Sequence, residues 1–163
     1  MVELALSVDG FRRPTLTLKR RWHDTLADSD EVSEQNFSIP ENISAREDPD
    51  GTEYDDHLLA SEQTGIAKIK LNGWESELIE EESHRPDFVC WLRNPSRALW
   101  ALFLPYEIGG EKKSFYPDFL IVRSDPELDY VVDILEPHGD HYADNLPKAK
   151  ALTGYARKQS CGN

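Results

Sequence analysis

The chain has 163 residues, of which 18 are basic and 31 are acidic, so its formal net charge is −13. This length suits one domain, or one domain with a tail. The acidity argues against a protein that wraps a polyanion over its whole surface, since nucleic-acid binders usually carry a basic footprint.

The excess of negative charge lies almost entirely in the first half of the chain. Residues 1–83 carry 8 basic and 20 acidic side chains, whereas residues 84–163 carry 10 and 11. Cys90 and Cys161 are far apart and outside any CxxC pattern, which argues against a disulfide framework or a zinc knuckle. Without a membrane-length apolar run or a hydrophobic signal core, we predict a soluble cytoplasmic protein with no membrane partner.

The N-terminal third predicts little packed structure. Residues 1–23 contain two short alternating runs, Val2–Val8 and Thr15–Leu18, in a pattern typical of a hairpin. Residues 24–56 are acidic, polar and aperiodic. The small apolar surface of this segment cannot offset the conformational entropy that the chain would lose on folding. We therefore predict a linker or mobile loop there, followed by a folded domain over residues 57–163.

Three short runs in the middle of the chain have the pattern of strands. Ile66–Leu71 alternates between apolar and polar residues, while Phe88–Leu92 and Ala98–Leu104 are apolar enough for buried strands. Gly109-Gly110 then predicts a turn.

Two helices are predicted, one before and one after the main strands. Asn72, with Glu75 three residues later, is typical of a capping box and predicts a helix from Gly73 to about Ser83. Its expected inward stripe contains Trp74, Leu78 and Ile79. The second helix is capped by Asp144 or Asn145, with Pro147 in its first turn. Its expected buried stripe contains Leu146, Ala149, Leu152, Thr153 and Ala156.

One hairpin organises the rest of the chain. The apolar runs Phe119–Val122 and Tyr130–Leu135 flank a turn signal at Ser124–Pro126. In an antiparallel pair, the start of one strand lies beside the end of the other, so Asp118 and Glu136 should meet at one edge of the sheet. Two carboxylates held close repel each other, and a divalent cation between them is the usual remedy.

The order Pro117-Asp118, hairpin, Glu136-x-His138 resembles the PD-(D/E)XK nuclease superfamily. More narrowly, WLRN, LPY, FYPDFLIVR and DILEPH in this order resemble the C-terminal nuclease-like domain of DEAD/DEAH-box helicases and type III restriction subunits. The resemblance covers roughly the last hundred residues. It implies a mixed α/β fold with a restriction-endonuclease-like central sheet flanked by helices. The usual last strand is not expected, because too few residues follow the second helix.

The resemblance also implies a site. Asp118 and Glu136 would bind Mg²⁺ or Mn²⁺, with the backbone carbonyl of Pro137 as a third ligand. His138 stands where the superfamily has lysine; it could move a proton in catalysis or only close the strand through a hydrogen bond. Lys148, at the start of the next helix, is the candidate to replace the lost positive charge.

Further charged residues are candidates for the same site. Either Glu75 or Glu82 could be the first-helix acid that related nucleases place near the metal. The candidates for phosphate contacts are basic residues of the second half of the chain: Arg93, Arg97, Lys112, Lys113 and Arg157.

These observations predict a metal-dependent nuclease domain that cleaves the phosphodiester bonds of nucleic acid, with DNA as the expected substrate. A helicase partner or a restriction or defence system would be its context. The alternative is a catalytically degenerate nuclease fold that binds nucleic acid or docks a protein. The missing last strand predicts an exposed sheet edge, covered by Val2–Val8 or by a second copy in a homodimer.

Overall fold

The computed structural model describes residues 45–96, 98–137 and 144–160. These residues form a mixed α/β structure of small antiparallel sheets and helices, which confirms the predicted class. The elements in chain order are β1 (Thr52–Tyr54), β2 (Ala67–Ile69), α1 (Gly73–Ser83), β3 (Phe88–Arg93), β4 (Leu104–Ile108), β5 (Glu111–Phe115), β6 (Phe119–Asp125), β7 (Asp129–Leu135) and α2 (Asn145–Ser160).

The central sheet has the order β3-β6-β7, and both pairs are antiparallel. β6 lies in the middle because its residues are apolar on both faces, and alternate residues enter two different cores. Phe119 and Ile121 pack with Trp91 on one face, where α1 contributes Ile79. Leu120 and Val122 pack on the other face with a cluster against which α2 lies.

The predicted hairpin is confirmed. β6 and β7 pair in a continuous register from Phe119 opposite Leu135 to Asp125 opposite Asp129. In the turn, Asp125 Oδ1 accepts backbone hydrogen bonds from Glu127 (2.9 Å) and Leu128 (2.8 Å).

The first predicted helix is confirmed in its bounds and its cap. Asn72 Oδ1 accepts from the Glu75 backbone N–H at 3.0 Å, and Glu75 Oε2 accepts from the Asn72 N–H at 2.9 Å. Its predicted inward face is wrong at Trp74, which is 71% exposed. Ile79 is buried as predicted. Glu75 and Glu82 are buried beside it, because both acids meet arginines of the sheet beneath the helix.

The predicted strand Ala98–Leu104 is wrong except at its last residue. The chain turns there, and β4 begins only at Leu104. The buried Asn94 side chain accepts from the Leu102 N–H (3.0 Å) and donates to the Leu102 carbonyl (2.8 Å). Because Asn94 binds both backbone groups of Leu102, they are not available to a neighbouring strand at that point.

The buried stripe predicted for α2 is confirmed only at Leu152, because most of the inward face lies elsewhere on the helix. Leu146 is 65% exposed, and Ala149, Thr153 and Ala156 are exposed as well. The residues that pack on the core are Ala151, Leu152 and Tyr155. Lys148 extends the same helical face, since it precedes these residues by three, four and seven positions.

The fold begins earlier than residue 57. Within the predicted linker, β1 pairs with β2, and the Arg46 N–H donates to the Leu59 carbonyl at 2.9 Å. Gly51 lies so close to β2 that a Cβ atom would be 2.8 Å from the Ile69 backbone nitrogen. Backbone hydrogen bonds, side-chain contacts of Asp48 and the packing of Tyr54 against the core order these residues. Most of these contacts are polar, which explains why hydrophobic patterning missed the segment.

The outer edge of β7 bears on the predicted association. Among the described residues, β7 pairs only with β6. The predicted strand Val2–Val8 lies outside the described residues, as does the rest of the N-terminal hairpin, so cover by that strand or by a second copy stays a prediction. No helix in the described part of the chain is long and apolar enough to cross a membrane.

Candidate active site

The hairpin register brings the two predicted carboxylates together. Asp118 directly precedes β6 and Glu136 directly follows β7, whose terminal residues are paired. The Asp118 backbone N–H donates to Glu136 Oε2 at 2.9 Å. Asn94, which directly follows β3, supports this edge because its N–H donates to the Asp118 carbonyl at 2.9 Å. Asp118 and Glu136 therefore meet at one edge of the sheet, as predicted.

The Glu136 carboxyl is electrostatically unusual. Its pKa is raised to about 7, chiefly by burial and next by the negative charge of Asp118. The hydrogen bond from the Asp118 N–H and the charges of Lys148 and Arg93 oppose the rise without cancelling it. Glu136 thus changes its charge close to neutral pH.

Lys148 reaches the same edge from the first turns of α2. Its Nζ lies 3.7 Å from Glu136 Oε1 and 3.4 Å from Asp144 Oδ2, and 5.5 Å from the centroid of the Phe115 ring. Asp144 is itself held by Tyr106 of β4, whose hydroxyl donates to Oδ2 at 3.2 Å. The structure thus places Lys148 beside Glu136, the position expected for a substitute cation.

The structure distinguishes between the two first-helix acids. Glu75 joins the site through Arg93, whose Nη2 lies 2.9 Å from Glu75 Oε1 and whose Nη1 lies 2.9 Å from Asp118 Oδ1. Glu82, two turns along the same helix, pairs instead with Arg123. Glu75 is therefore the α1 carboxylate of this site.

The structure places the candidates for phosphate contacts in different surroundings. Arg93 is turned towards the carboxylates rather than towards solvent. Lys112 and Lys113 are exposed on β5, where Lys113 pairs with Glu111, and Arg157 is exposed on α2. The predicted site residue His138 and the phosphate candidate Arg97 lie outside the described residues.

Sequence reasoning missed two members of the site. The sequence pattern predicts only a phosphate contact for Arg93 and only a helix cap for Asp144. The available signal for Arg93 was its place at the end of a strand, but its pairing opposite Phe119 depends on the β3–β6 register. That register is a long-range property that no local pattern specifies.

The donor set suits a hard divalent cation. No group of three or more His, Cys, Asp or Glu side chains in the described ranges is arranged to hold a metal. Mg²⁺, however, commonly takes only one or two protein carboxylates and keeps several waters. Asp118 and Glu136 offer such oxygens at adjacent strand ends, followed by the Pro137 carbonyl. Among the described residues, two cations, Arg93 and Lys148, face four carboxylates here, so full ionisation leaves a net charge of −2. The carboxylates are those of Glu75, Asp118, Glu136 and Asp144.

The comparisons with known proteins agree on one family. The fold and site define a small α/β domain with a cluster of carboxylates and cations at one sheet edge. Residues 55–161, which are 107 of the 163, match the YagJ family, and the chain belongs to that family.

A curated relative extends this finding. The chain is similar to Protein YagJ of Escherichia coli (strain K12), with 35% identity over 105 residues. These residues are 64% of this chain and 43% of that protein, so the match spans less than half of the relative's length. No solved structure matches the chain.

Proposed function

We propose that this domain is a nuclease-like domain of the PD-(D/E)XK type, which hydrolyses phosphodiester bonds of nucleic acid with Mg²⁺ or Mn²⁺. The observation that carries the proposal is the meeting of Asp118 and Glu136 across the β6–β7 register, with Lys148 beside them. DNA is the proposed substrate, and a helicase or a restriction or defence system is the proposed context.

The architecture supports the same proposal at a coarser level. Helix α1 packs on one face of the β3-β6-β7 sheet and α2 on the other. We include in the proposal that this is a restriction-endonuclease-like core, without the strand that usually follows the second helix.

Each residue has a distinct part in the proposed reaction. When bound, the divalent cation supplies Lewis acidity and lowers the pKa of an attacking water. Asp118 and Glu136 would hold it at the sheet edge. Lys148 presents an ammonium group beside them, where it stabilises negative charge that develops on the phosphate in the transition state. Asp144 and Phe115 orient Lys148 for that role.

The test is a cleavage assay on labelled double-stranded DNA, single-stranded DNA and RNA, with Mg²⁺, with Mn²⁺ and with EDTA. We expect metal-dependent cleavage that Asp118→Asn abolishes. Lys148→Met should lower the cleavage rate by about 10²–10³-fold, the usual loss for one group that stabilises transition-state charge. The matched control is Lys150→Met, because Lys150 is an exposed lysine two residues further along the same helix.

The outcome that contradicts the proposal is equally definite. If the folded wild-type protein leaves every substrate intact at stoichiometric concentration with either metal, the nuclease proposal is wrong. Equal cleavage by the wild type and Asp118→Asn would also reject it, since a contaminating nuclease would be indicated.

One observation favours a second candidate, a docking or nucleic-acid-binding module without catalysis. The carboxylates of the site already have cationic partners within the chain: Arg93 contacts Glu75 and Asp118, and Lys148 contacts Glu136. Such a module would bind nucleic acid or a helicase equally well with Mg²⁺ and with EDTA. Asp118→Asn would leave that binding unchanged, and no variant would cleave.

A further inference from the structure

The Arg93 guanidinium lies where two carboxylates from different parts of the chain converge. It bridges Glu75 of α1 and Asp118 before β6, each across 2.9 Å. A carboxylate that is a proposed metal ligand therefore already has a cation against it. A guanidinium and a divalent cation beside the same oxygen repel each other, so the Arg93 contact affects metal binding at Asp118.

Arg93 is held in this position by contacts along its whole length. Its backbone N–H donates to Nε2 of the buried His57 at 3.1 Å, and its carbonyl accepts from Arg46 Nη1 at 3.4 Å. The guanidinium carbon lies 4.7 Å from the centroid of the Phe119 ring, the residue paired with Arg93 across the sheet. A planar cation on an aromatic face is a favourable arrangement. The bridge is therefore a built feature and not a chance contact of a mobile surface side chain.

The contact with Asp118 is nevertheless one that can be exchanged. Arg93 Nη1 is buried and makes no hydrogen bond to any described residue. Its attraction to Asp118 is therefore ionic only, and it lacks the two directed hydrogen bonds of a bidentate arginine–carboxylate pair. A divalent cation would attract the same carboxylate more strongly than a monovalent one at equal distance. Glu75 can retain Arg93 when Asp118 is given up.

We propose that Arg93 is a resident competitor of the divalent cation, holding Asp118 in the metal-free protein and lowering the affinity of the site for metal. This inference rests on the proposed metal site at Asp118 and Glu136. Metal binding then includes the transfer of Asp118 from Arg93 to the cation, with Arg93 left on Glu75. Arg93 is a positioning residue in this scheme, because it acts on the metal through Asp118.

The test measures metal affinity directly, without any cleavage. Binding of Mn²⁺ alone is measured by isothermal titration calorimetry and by the rise in melting temperature that it causes. Arg93→Met keeps an apolar stem over Phe119 but removes the charge, and we expect it to bind Mn²⁺ about tenfold or more tightly than the wild type. Arg93→Lys should have a Mn²⁺ affinity between those of the wild type and Arg93→Met, because a single ammonium group cannot bridge both carboxylates as the guanidinium does.

A matched control separates competition at Asp118 from net charge. Lys68→Met removes one positive charge from β2, where Lys68 is half exposed and pairs only loosely with Glu53 at 3.8 Å. It should leave Mn²⁺ affinity within about twofold of the wild type, because exposed charges are strongly screened. The gain in Arg93→Met should also disappear in the double variant with Asp118→Asn.

The outcomes distinguish this inference from the proposed function. If the wild type and both folded Arg93 variants bind Mn²⁺ equally, and Asp118→Asn weakens all three, the metal site stands and the competitor role is overturned. If neither the wild type nor an Arg93 variant binds Mn²⁺ at millimolar concentration, the metal site fails and this inference with it. If Arg93→Met does not fold, the Mn²⁺ affinity of Arg93→Lys decides the question. A purely structural role of Arg93 predicts that Arg93→Lys binds Mn²⁺ more weakly than the wild type, whereas the competitor role predicts tighter binding.

Discussion

At the scale of single residues, Glu136 shows how burial and a like charge act together. Burial disfavours the ionised carboxylate, and the nearby Asp118 adds repulsion. The pKa of Glu136 in the folded protein is therefore raised to about 7. In the unfolded chain, the pKa returns to near its ordinary value of 4.5. The folded state therefore binds more protons than the unfolded state between these two values.

This difference has a definite sign. Because the folded protein binds more protons, its free energy of unfolding falls as the pH rises from about 4.5 to about 7, and the loss is complete above the folded pKa. We expect Glu136→Gln, which keeps an acceptor for the Asp118 N–H, to lack this loss. The wild type should become less stable relative to the variant by about 1–3 kcal/mol between pH 4.5 and pH 8.

The measurement is urea denaturation of both proteins across this pH range with EDTA present. The difference in the free energy of unfolding between the two proteins is the relevant quantity, because other groups titrate alike in both. A difference that stays constant with pH would show that the Glu136 carboxyl is not perturbed in the folded state.

At the scale of elements, a second charge cluster joins α1 to the sheet at the opposite end of β6. Arg123 is almost fully buried and contacts Glu82 of α1, Asp133 of β7 and Asp87, which lies before β3. Burial would lower the pKa of Arg123, but the hydrogen bonds that its guanidinium donates to Asp133 and Glu82 outweigh this effect and raise the pKa. This cluster explains why an acid lies on the buried face of α1.

Removal of the Arg123 guanidinium should therefore strongly destabilise the folded protein. Arg123→Met leaves the Glu82 carboxylate buried without its closest partner, and we expect it to lower the free energy of unfolding by about 3–5 kcal/mol. The control is Arg85→Met, because Arg85 is exposed and lies 3.6 Å from the same Glu82; its loss should cost less than about 1 kcal/mol. Both values come from chemical denaturation.

A double variant checks the cause of this loss. If the uncompensated charge of Glu82 is responsible, Glu82→Gln in the Arg123→Met background should recover part of the stability. A further loss in the double variant would mean that packing, and not charge, dominates at this position.

At the scale of the whole molecule, the fold includes residues that composition assigns to a linker. Gly51 places the backbone of residues 45–54 against β2. Gly51→Ala would put a Cβ atom 2.8 Å from Ile69 N and 2.9 Å from Lys68 C, both of them backbone atoms that cannot rotate away. We expect a loss of about 1–3 kcal/mol, the usual range for overpacking a tight contact.

Gly154→Ala is the matched control for this prediction. Gly154 lies within α2, and an added Cβ would meet nothing within 4 Å. The substitution should stabilise the protein by about 0.5–1 kcal/mol through helix propensity. Thermal melts of both variants decide the point: a Gly51→Ala protein as stable as the wild type would mean that residues 45–54 are dispensable to the fold.

Several features of this protein are determined by local sequence alone. The hairpin with Asp118 and Glu136 at its open end follows from two apolar runs and a turn, because pairing partners there are near in the chain. The cap and bounds of α1 follow from Asn72 and Glu75 for the same reason.

Only the tertiary structure decided which charges meet across the fold. The choice of Glu75 over Glu82, and the bridge from Arg93 to Asp118, depend on how α1 and β3 lie against β6. The loop after Asn94 and the inward face of α2 were mispredicted for a related reason. An apolar run becomes a strand only if its backbone groups find a partner, and here Asn94 took those of Leu102. Ion pairs and such side-chain caps join residues far apart in sequence, so periodicity within one segment carries no information about them.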